Sequence, residues 1–331
     1  MADHLDPHAR LSVAPMMDWT DRHCRVFHRV LSREALLYTE MVTSAALIRG
    51  GALRLLEHDP FEHPVALQLG GSDPAELAKA AKLGEEAGYQ EINLNCGCPS
   101  DRVQSGSFGA VLMEKPELVA DCVAAMAEAV GEVPVTVKCR IGVDDQDPHK
   151  VLPDFLAKIH GAGVRRITVH ARKAWLQGLS PKDNREIPPL DYDLAFAMKA
   201  EFPDMHVSLN GGITDLTQAK AHLARGFDGV MIGRAAYHDP GAVLLGADEA
   251  IFGQARAQTR IGAAREMLPY IDAHLSRGGR LNQVTRHMLG LFQGLPGARA
   301  WRRYLSENAH REGAGPEVVE TALGFVSKEA A

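Results

Sequence analysis

Short apolar runs rich in β-branched residues recur along the first 250 or so positions, at 11–16, 36–41, 65–70, 91–95, 133–139, 165–170, 206–210 and 229–232. Amphipathic stretches separate them. Asp73-Pro74 opens one that runs toward Ala87-Gly88, and Lys115-Pro116 opens another that ends near Gly131. Proline just inside a helix start and glycine just past its end are helix boundary signals. Eight strand–helix units predict an α/β fold, the (β/α)8 TIM barrel, rather than an open doubly wound sheet with its usual five or six strands. No GxGxxG follows the first strand, so the common dinucleotide fingerprint is absent. After Phe252-Gly253 the strand pattern stops, and helical stretches are broken at Gly278-Gly279, 294–297 and 313–316. The expected organisation is a barrel over 1–252 and a C-terminal all-helical domain over 253–331.

Composition narrows the class. The chain has 331 residues, 46% hydrophobic and 24% charged, which suits a folded protein of more than one core and excludes a disordered chain. There is no apolar stretch of membrane-spanning length, and residues 1–8 lack a basic start and apolar middle, so no membrane association and a cytoplasmic location are expected. The five cysteines include no CxxC pair, which argues for reduced thiols and against a structural metal. No obligate protein partner is expected. The net charge of −6 conceals a split: residues 254–331 carry 11 Lys+Arg against 7 Asp+Glu, while the remainder carries 25 against 35. That asymmetry suggests a basic face on the helical part.

Barrel active sites are built at the carboxyl ends of the strands. Here those ends offer Pro15-Met16-Met17, Glu40, Gln68, Asn95 with Cys98, Lys138 with Arg140, His170 with Arg172, Asn210-Gly211-Gly212 and Gly233-Arg234. A methionine pair is commonly core, and a lone loop cation is commonly solvated. Lys138 and His170, however, directly follow apolar strands, where a charge is costly without a polar ligand. Glycines after strands 7 and 8 let the backbone approach a phosphate, with Arg234 as an ionic partner. A cation such as Lys138 suits the N1–C2=O edge of a reduced isoalloxazine, Gln68 and Asn95 offer amides to a heterocycle, and Met16 and Met17 offer polarizable contacts. The expected ligand is FMN.

Asn95-Cys96-Gly97-Cys98-Pro99-Ser100 leads from strand 4 into a loop containing Gly106 and Gly109, placing two thiols near the mouth. These residues, together with Ala14-Pro15-Met16, Gln68-Leu69-Gly70, 106–113, Val137-Lys138-Cys139-Arg140, His170-Ala171-Arg172, Asn210-Gly211-Gly212-Ile213 and Gly233-Arg234, resemble the tRNA-dihydrouridine synthases in order along nearly the whole chain. The stretches 178–190 and 292–308 are similar to the bacterial A-type branch. The resemblance implies an FMN barrel with a helical RNA-binding domain that reduces tRNA uridine with NADPH, at the D-loop uridines U20 and U20a for the A-type. It implies Cys98 as the acid that protonates uracil C5 while C6 receives a hydride from the opposite face. A thiol with its ordinary pKa of about 8.5 is protonated at neutral pH and can do this. The resemblance further places Pro15, Met16, Met17, Gln68, Asn95, Lys138, His170, Asn210, Gly211, Gly212, Gly233 and Arg234 around the flavin. Arg172, Lys182 and Arg185 fall near the RNA.

Helical geometry adds a separate reading over 298–305. Arg299, Arg302 and Arg303 share one face while Trp301, Tyr304 and Leu305 share the other, forming an arginine row suited to phosphates. A plain solvated face is the competing reading. Two other functions fit parts of the pattern: an FMN oxidoreductase acting on dihydroorotate or a free pyrimidine, for which the basic helix has no use, and a phosphate-binding barrel or RNA-binding protein without redox chemistry.

Overall fold

In five consecutive barrel strands every second residue is apolar, and the intervening ones are largely polar. Strand β3 (Val65–Gly70) alternates Val65, Leu67 and Leu69 with Ala66, Gln68 and Gly70, and β4 (Glu91–Cys96) alternates Ile92, Leu94 and Cys96 with Glu91, Asn93 and Asn95. The pattern continues in β5 (Val135–Arg140), β6 (Arg166–His170) and β7 (His206–Asn210). Successive side chains of a strand point to opposite faces. In a closed barrel the apolar set therefore meets the surrounding helices and the polar set fills the interior. Leu67, Leu69, Ile92, Leu94, Val137, Ile167, Val169, Val207 and Leu209 are fully buried in one continuous core with the helices. Ala14, Leu36, Tyr38, Ala66 and Met231 form a second, smaller cluster. Each buried aliphatic side chain contributes on the order of 1.5–3 kcal/mol, so a one-residue register slip in any strand is strongly disfavoured.

The computed structural model describes residues 7–100 and 108–326; Gly106, expected in the loop after β4, lies outside the described residues. With β1 (Leu11–Val13), β2 (Leu37–Thr43) and β8 (Gly229–Ile232), the eight strands are all parallel in the order β1-β8-β7-β6-β5-β4-β3-β2. The barrel closes between β1 and β2, where Val13 N–H donates to the Leu36 carbonyl and Leu36 N–H to the Leu11 carbonyl, both at 3.0 Å. The first strand is three residues shorter than the apolar run suggested. Pro15 has no N–H for a ladder, and the chain turns at once, Met16 N–H donating to Thr20 Oγ1 at 2.9 Å.

Asp21, Asp73, Asp147, Asp191 and Asp215 each cap a barrel helix by accepting a backbone N–H of its first turn. Beyond the barrel lie the helices Arg260–Glu266, Leu268–Ser276, Leu281–Thr285, Ala298–Asn308 and Glu317–Leu323. The first three dock on the first barrel helix, Arg22–Leu31, and the last two pack against them. Asp21 pairs with Arg286 at 2.5 Å and His287 at 3.0 Å, Arg33 with Glu266 at 2.5 Å, and Arg256 donates to the Val30 carbonyl at 2.7 Å. Trp301 anchors this part from inside, its ring edge-on to Phe292 and its Nε1–H donating to the Met288 carbonyl. Among the described residues no helix is long and apolar enough to cross a membrane, and no group of three His, Cys, Asp or Glu is arranged to hold a metal.

Candidate active site

Register brings the strand ends together. Across β4 to β8, Asn95 stands beside Lys138, Arg140 beside His170, His170 beside Asn210 and Asn210 beside Met231. From the end of β4 the chain turns through Asn95, whose Oδ1 accepts the N–H groups of both Gly97 and Cys98 at 3.0 Å. This Asx-type turn fixes the start of the loop. Arg140 ties it from the next strand by donating to the Gly97 carbonyl at 3.1 Å. The same guanidinium donates to the carbonyls of Lys173 at 2.9 Å and Asn184 at 2.8 Å, linking the thiol loop to the long loop after β6.

Of the five cysteines, all among the described residues, Cys98 alone is not buried. Its Sγ lies 3.5 Å from Ser100 Oγ. Cys96 points the other way, into the core, where burial pushes its thiol well above the ordinary range. The alternation of β4 makes this choice: Cys96 continues the apolar face of Ile92 and Leu94, and the turn after it releases Cys98 toward the mouth.

Positive charge accumulates around that thiol. Burial, reinforced by Arg140, lowers Lys138 to about 8, and its Nζ donates to Asn210 Oδ1 at 3.1 Å. Burial, with Arg185 and Arg172 adding repulsion, lowers Arg140 to about 10. His170 is held well below its ordinary value, first by burial and then by Arg140, Lys138, Arg172 and Arg185, so its ring is neutral at pH 7. Arg234 reaches Glu186 at 2.5 Å and borders Arg185, while Arg172 donates to the Pro188 carbonyl. Clustered cations of this kind are electrostatically matched to an anionic ligand.

The glycines after β7 are dictated by close approach. Gly211 and Gly212 adopt φ of 112° and 74°, and a Cβ on Gly211 would come within 2.7 Å of the His170 ring. Gly233, after β8, faces Ala14 and the sulfur of Met16, joining the last strand end to the first. Met16 is partly buried and Met17 is 53% exposed. Gln68 is buried at the end of β3, where its amide bonds to Asn93 and Asn95. Pro15 is partly buried beside Met16.

The expected RNA contacts occupy two places. Lys182 and Arg185 are exposed on the loop after β6, near Arg234. Arg299 is exposed on the helix Ala298–Asn308, whereas Arg302 is half-buried against Gln293. With Tyr237, His238, Arg286, Leu289, Gly290 and Gln293, Arg302 lines a cleft of about 600 Å3 between the helical part and the segment after β8. Tyr237 stacks on Trp19 at 4.6 Å and 11°, so this cleft adjoins the Met16–Met17 turn. Arg299 does not line it. The sequence reading gave no role to three groups: Trp19 with Tyr237, Glu40, and the inward polar residues beneath Gln68 and Asn95. Glu40 Oε1 accepts the Asp18 N–H at 2.5 Å and so holds Asp18 at φ 64° beside Met17. The signal for the interior group was available in the alternation of β3 to β5.

Comparison with known proteins adds independent observations. The profile of the family described as dihydrouridine synthase (Dus) matches residues 12–327. A Vibrio parahaemolyticus protein named tRNA-dihydrouridine(20/20a) synthase is 58% identical over 97% of this chain and 98% of its own length. Proteins of the same name from Shewanella oneidensis and Escherichia coli K12 are 59% and 58% identical, over 96% and 99% of this chain and 94% and 95% of theirs. Among solved structures, morphinone reductase superposes with a TM-score of 0.52 at 14% identity, over 77% of this chain and 90% of its own, a likeness of fold. A Zymomonas mobilis homologue of old yellow enzyme gives 0.52 at 13%, over 70% of this chain and 86% of its own.

Proposed function

The chain belongs to the dihydrouridine synthase family and, with it, to the flavin-dependent oxidoreductases; from that premise we propose that it reduces uridine to 5,6-dihydrouridine at U20 and U20a of the tRNA D-loop, with FMN as cofactor and NADPH as reductant. The observation that carries this reading is a single partly exposed thiol, Cys98, at a barrel mouth ringed by Lys138, Arg140, Arg172, Arg185 and Arg234. FMN, when bound, supplies the hydride that C6 of uracil receives. Its fit rests on the cations Lys138, Arg140, Arg172 and Arg234 gathered at one rim, which suit an anionic ligand, and on the remaining amide hydrogens of Gln68 and Asn95. Lys138 would stabilise negative charge on the reduced ring, Asn210 orients its ammonium, and the neutral His170 adds a donor without adding charge. Pro15, Met16, Met17, Gly233 and Arg234 complete the shell.

Cys98 delivers a proton to C5 from the face opposite the hydride. Hydrogen bonds from the Gly97 and Cys98 N–H groups to Asn95, and from Arg140 to the Gly97 carbonyl, hold the loop for that transfer. A uridine must leave its stack to reach the mouth, and cations outside it hold the flanking phosphates: Arg172, Lys182 and Arg185 on the barrel, Arg299 and Arg302 on the helix of a tRNA-binding domain spanning 253–331. The test is direct. The purified protein should be yellow, should oxidise NADPH slowly alone, and should restore dihydrouridine at U20 and U20a in tRNA from a strain lacking the modification. Reduction of free uracil or dihydroorotate in preference to tRNA would replace this reading.

A further inference from the structure

The barrel interior contains an unbroken line of hydrogen bonds that begins at a carboxylate and ends on the Cys98 loop. Glu91, the first residue of β4, is buried and forms an ion pair with Arg166. Its Oε1 accepts from the Tyr38 hydroxyl at 2.6 Å and from the Thr136 hydroxyl at 2.5 Å. Thr136 Oγ1 in turn accepts from Asn93 Nδ2 at 2.8 Å, Asn93 Oδ1 from Gln68 Nε2 at 2.8 Å, and Gln68 Oε1 from Asn95 Nδ2 at 2.7 Å. The last oxygen, Asn95 Oδ1, accepts the N–H groups of Gly97 and Cys98. All members are buried, and the line crosses β3, β4 and β5 through the register pairs Gln68–Asn93 and Asn93–Thr136.

The direction of this line is forced. A carboxylate paired with a guanidinium only accepts, so the Thr136 hydroxyl must donate to it and leave its oxygen for an amide N–H. That choice turns Asn93, then Gln68, then Asn95, one end at a time. A reversed Asn95 would aim its NH2 at two backbone N–H groups and expel the loop. Buried polar groups with no alternative partner make each reversal costly.

We infer that Glu91, Thr136 and Asn93 are positioning residues: the fixed charge of Glu91 at the base of the barrel sets the amide orientation of Gln68 and Asn95, and through Asn95 it sets the seat of Cys98. None of the three need touch substrate or cofactor. The effect on catalysis rests on the proposed role of Cys98; the effect on the thiol's seat does not.

Thr136 is the link to cut, because Thr136→Val keeps the volume and the Glu91–Arg166 pair while removing both hydrogen bonds, and Thr136→Ser restores them. In the FMN-loaded full-length protein, alkylation of Cys98 by iodoacetamide should rise about threefold or more in Thr136→Val, as the loop loses its anchor. The kcat on tRNA should fall about tenfold or more with KM for tRNA unchanged. Thr136→Ser should return both to wild-type values. If Thr136→Val does not fold, Thr136→Ala, which cannot overpack the site, takes its place with the same expectations. Wild-type alkylation in the Val or Ala variant, or failure of Ser to rescue, overturns the inference. An altered alkylation rate in an enzyme whose wild type makes no dihydrouridine would uphold the line of hydrogen bonds and overturn the function proposed for the site.

Discussion

Lys138 shows how much a single residue's setting decides. Its free amine would titrate at 10.5, but burial and the neighbouring Arg140 bring it to about 8. Between those values the unfolded chain holds a proton that the folded chain has released. The destabilisation from Lys138 is therefore full below pH 8 and fades as pH rises toward 10.5. A bound anion reverses the preference, because it rewards the protonated amine. The affinity of the apoprotein for FMN should accordingly fall as pH rises through about 8, and in Lys138→Arg, whose guanidinium stays charged, that fall should flatten. Fluorescence titration of FMN between pH 7 and 9.5 measures both; identical pH profiles for wild type and variant would remove Lys138 from the cofactor shell. His170 adds a complementary case. Its ring stays neutral, since five groups or causes oppose its proton, and Gly211 packs against its edge at a distance no larger residue could match. Gly211→Ala combines a positive φ with a 2.7 Å clash, so about 2 kcal/mol or more of stability should be lost in urea unfolding, together with FMN binding.

Among elements, the helix Arg22–Leu31 carries the junction between barrel and helical part. Asp21 caps it through the Cys24 N–H and also receives Arg286 and His287. Burial works against the Asp21 charge, but His287, the Cys24 N–H and Arg286 together hold its carboxyl far below the usual carboxylate range. A depressed carboxylate contributes stability above the unfolded value near pH 4 and loses it as pH falls below that. Asp21→Ala should cost about 2–4 kcal/mol at pH 7 from the lost cap and the stranded partners. Asp21→Asn, which retains the cap, should show a flatter loss of stability below pH 4. Chemical unfolding at pH 7 and pH 3 separates the two variants. The elements were largely legible in the sequence: eight strands, the helices opened at Asp73-Pro74 and Lys115-Pro116 and the helical C-terminal stretch follow from apolar runs, Pro starts and glycine stops, whereas the caps Asp21, Asp191 and Asp215, with no proline after them, carried no such signal. The strand ends were legible because a barrel has one functional rim, but Cys98 was distinguished from Cys96 only by the family resemblance: both thiols were expected near the mouth, and the alternation of β4 instead buries Cys96 in the core. What went unread was the interior. The run 91–95 reads as an apolar strand although Glu91, Asn93 and Asn95 occupy every second position; only the closed barrel reveals that these face one another rather than solvent. Trp19 and Tyr237 were unreadable for a different reason, since they meet only through the packing of the first and last βα segments.

For the whole molecule, the charge split between barrel and C-terminal part becomes a statement about RNA. Arg302 lines the cleft beside Tyr237 and Arg286, and Arg299 lies exposed on the same helix. Replacing Arg299 and Arg302 with Ala should weaken tRNA binding and reduce the slope of log affinity against log salt by about one per lost phosphate contact, with flavin content unchanged. Filter binding across a salt series reads this, and an unaltered slope would take both residues out of the interface. The central claim joins that surface to the thiol at the barrel mouth, and one measurement tests it most directly. Wild type and Cys98→Ala, both loaded with FMN and supplied with NADPH, are given unmodified tRNA, and dihydrouridine is quantified over time. The expected result is a yellow, tRNA-binding variant whose rate is lower by about 10²–10⁴-fold. Dihydrouridine formed by Cys98→Ala at the wild-type rate would contradict the claim.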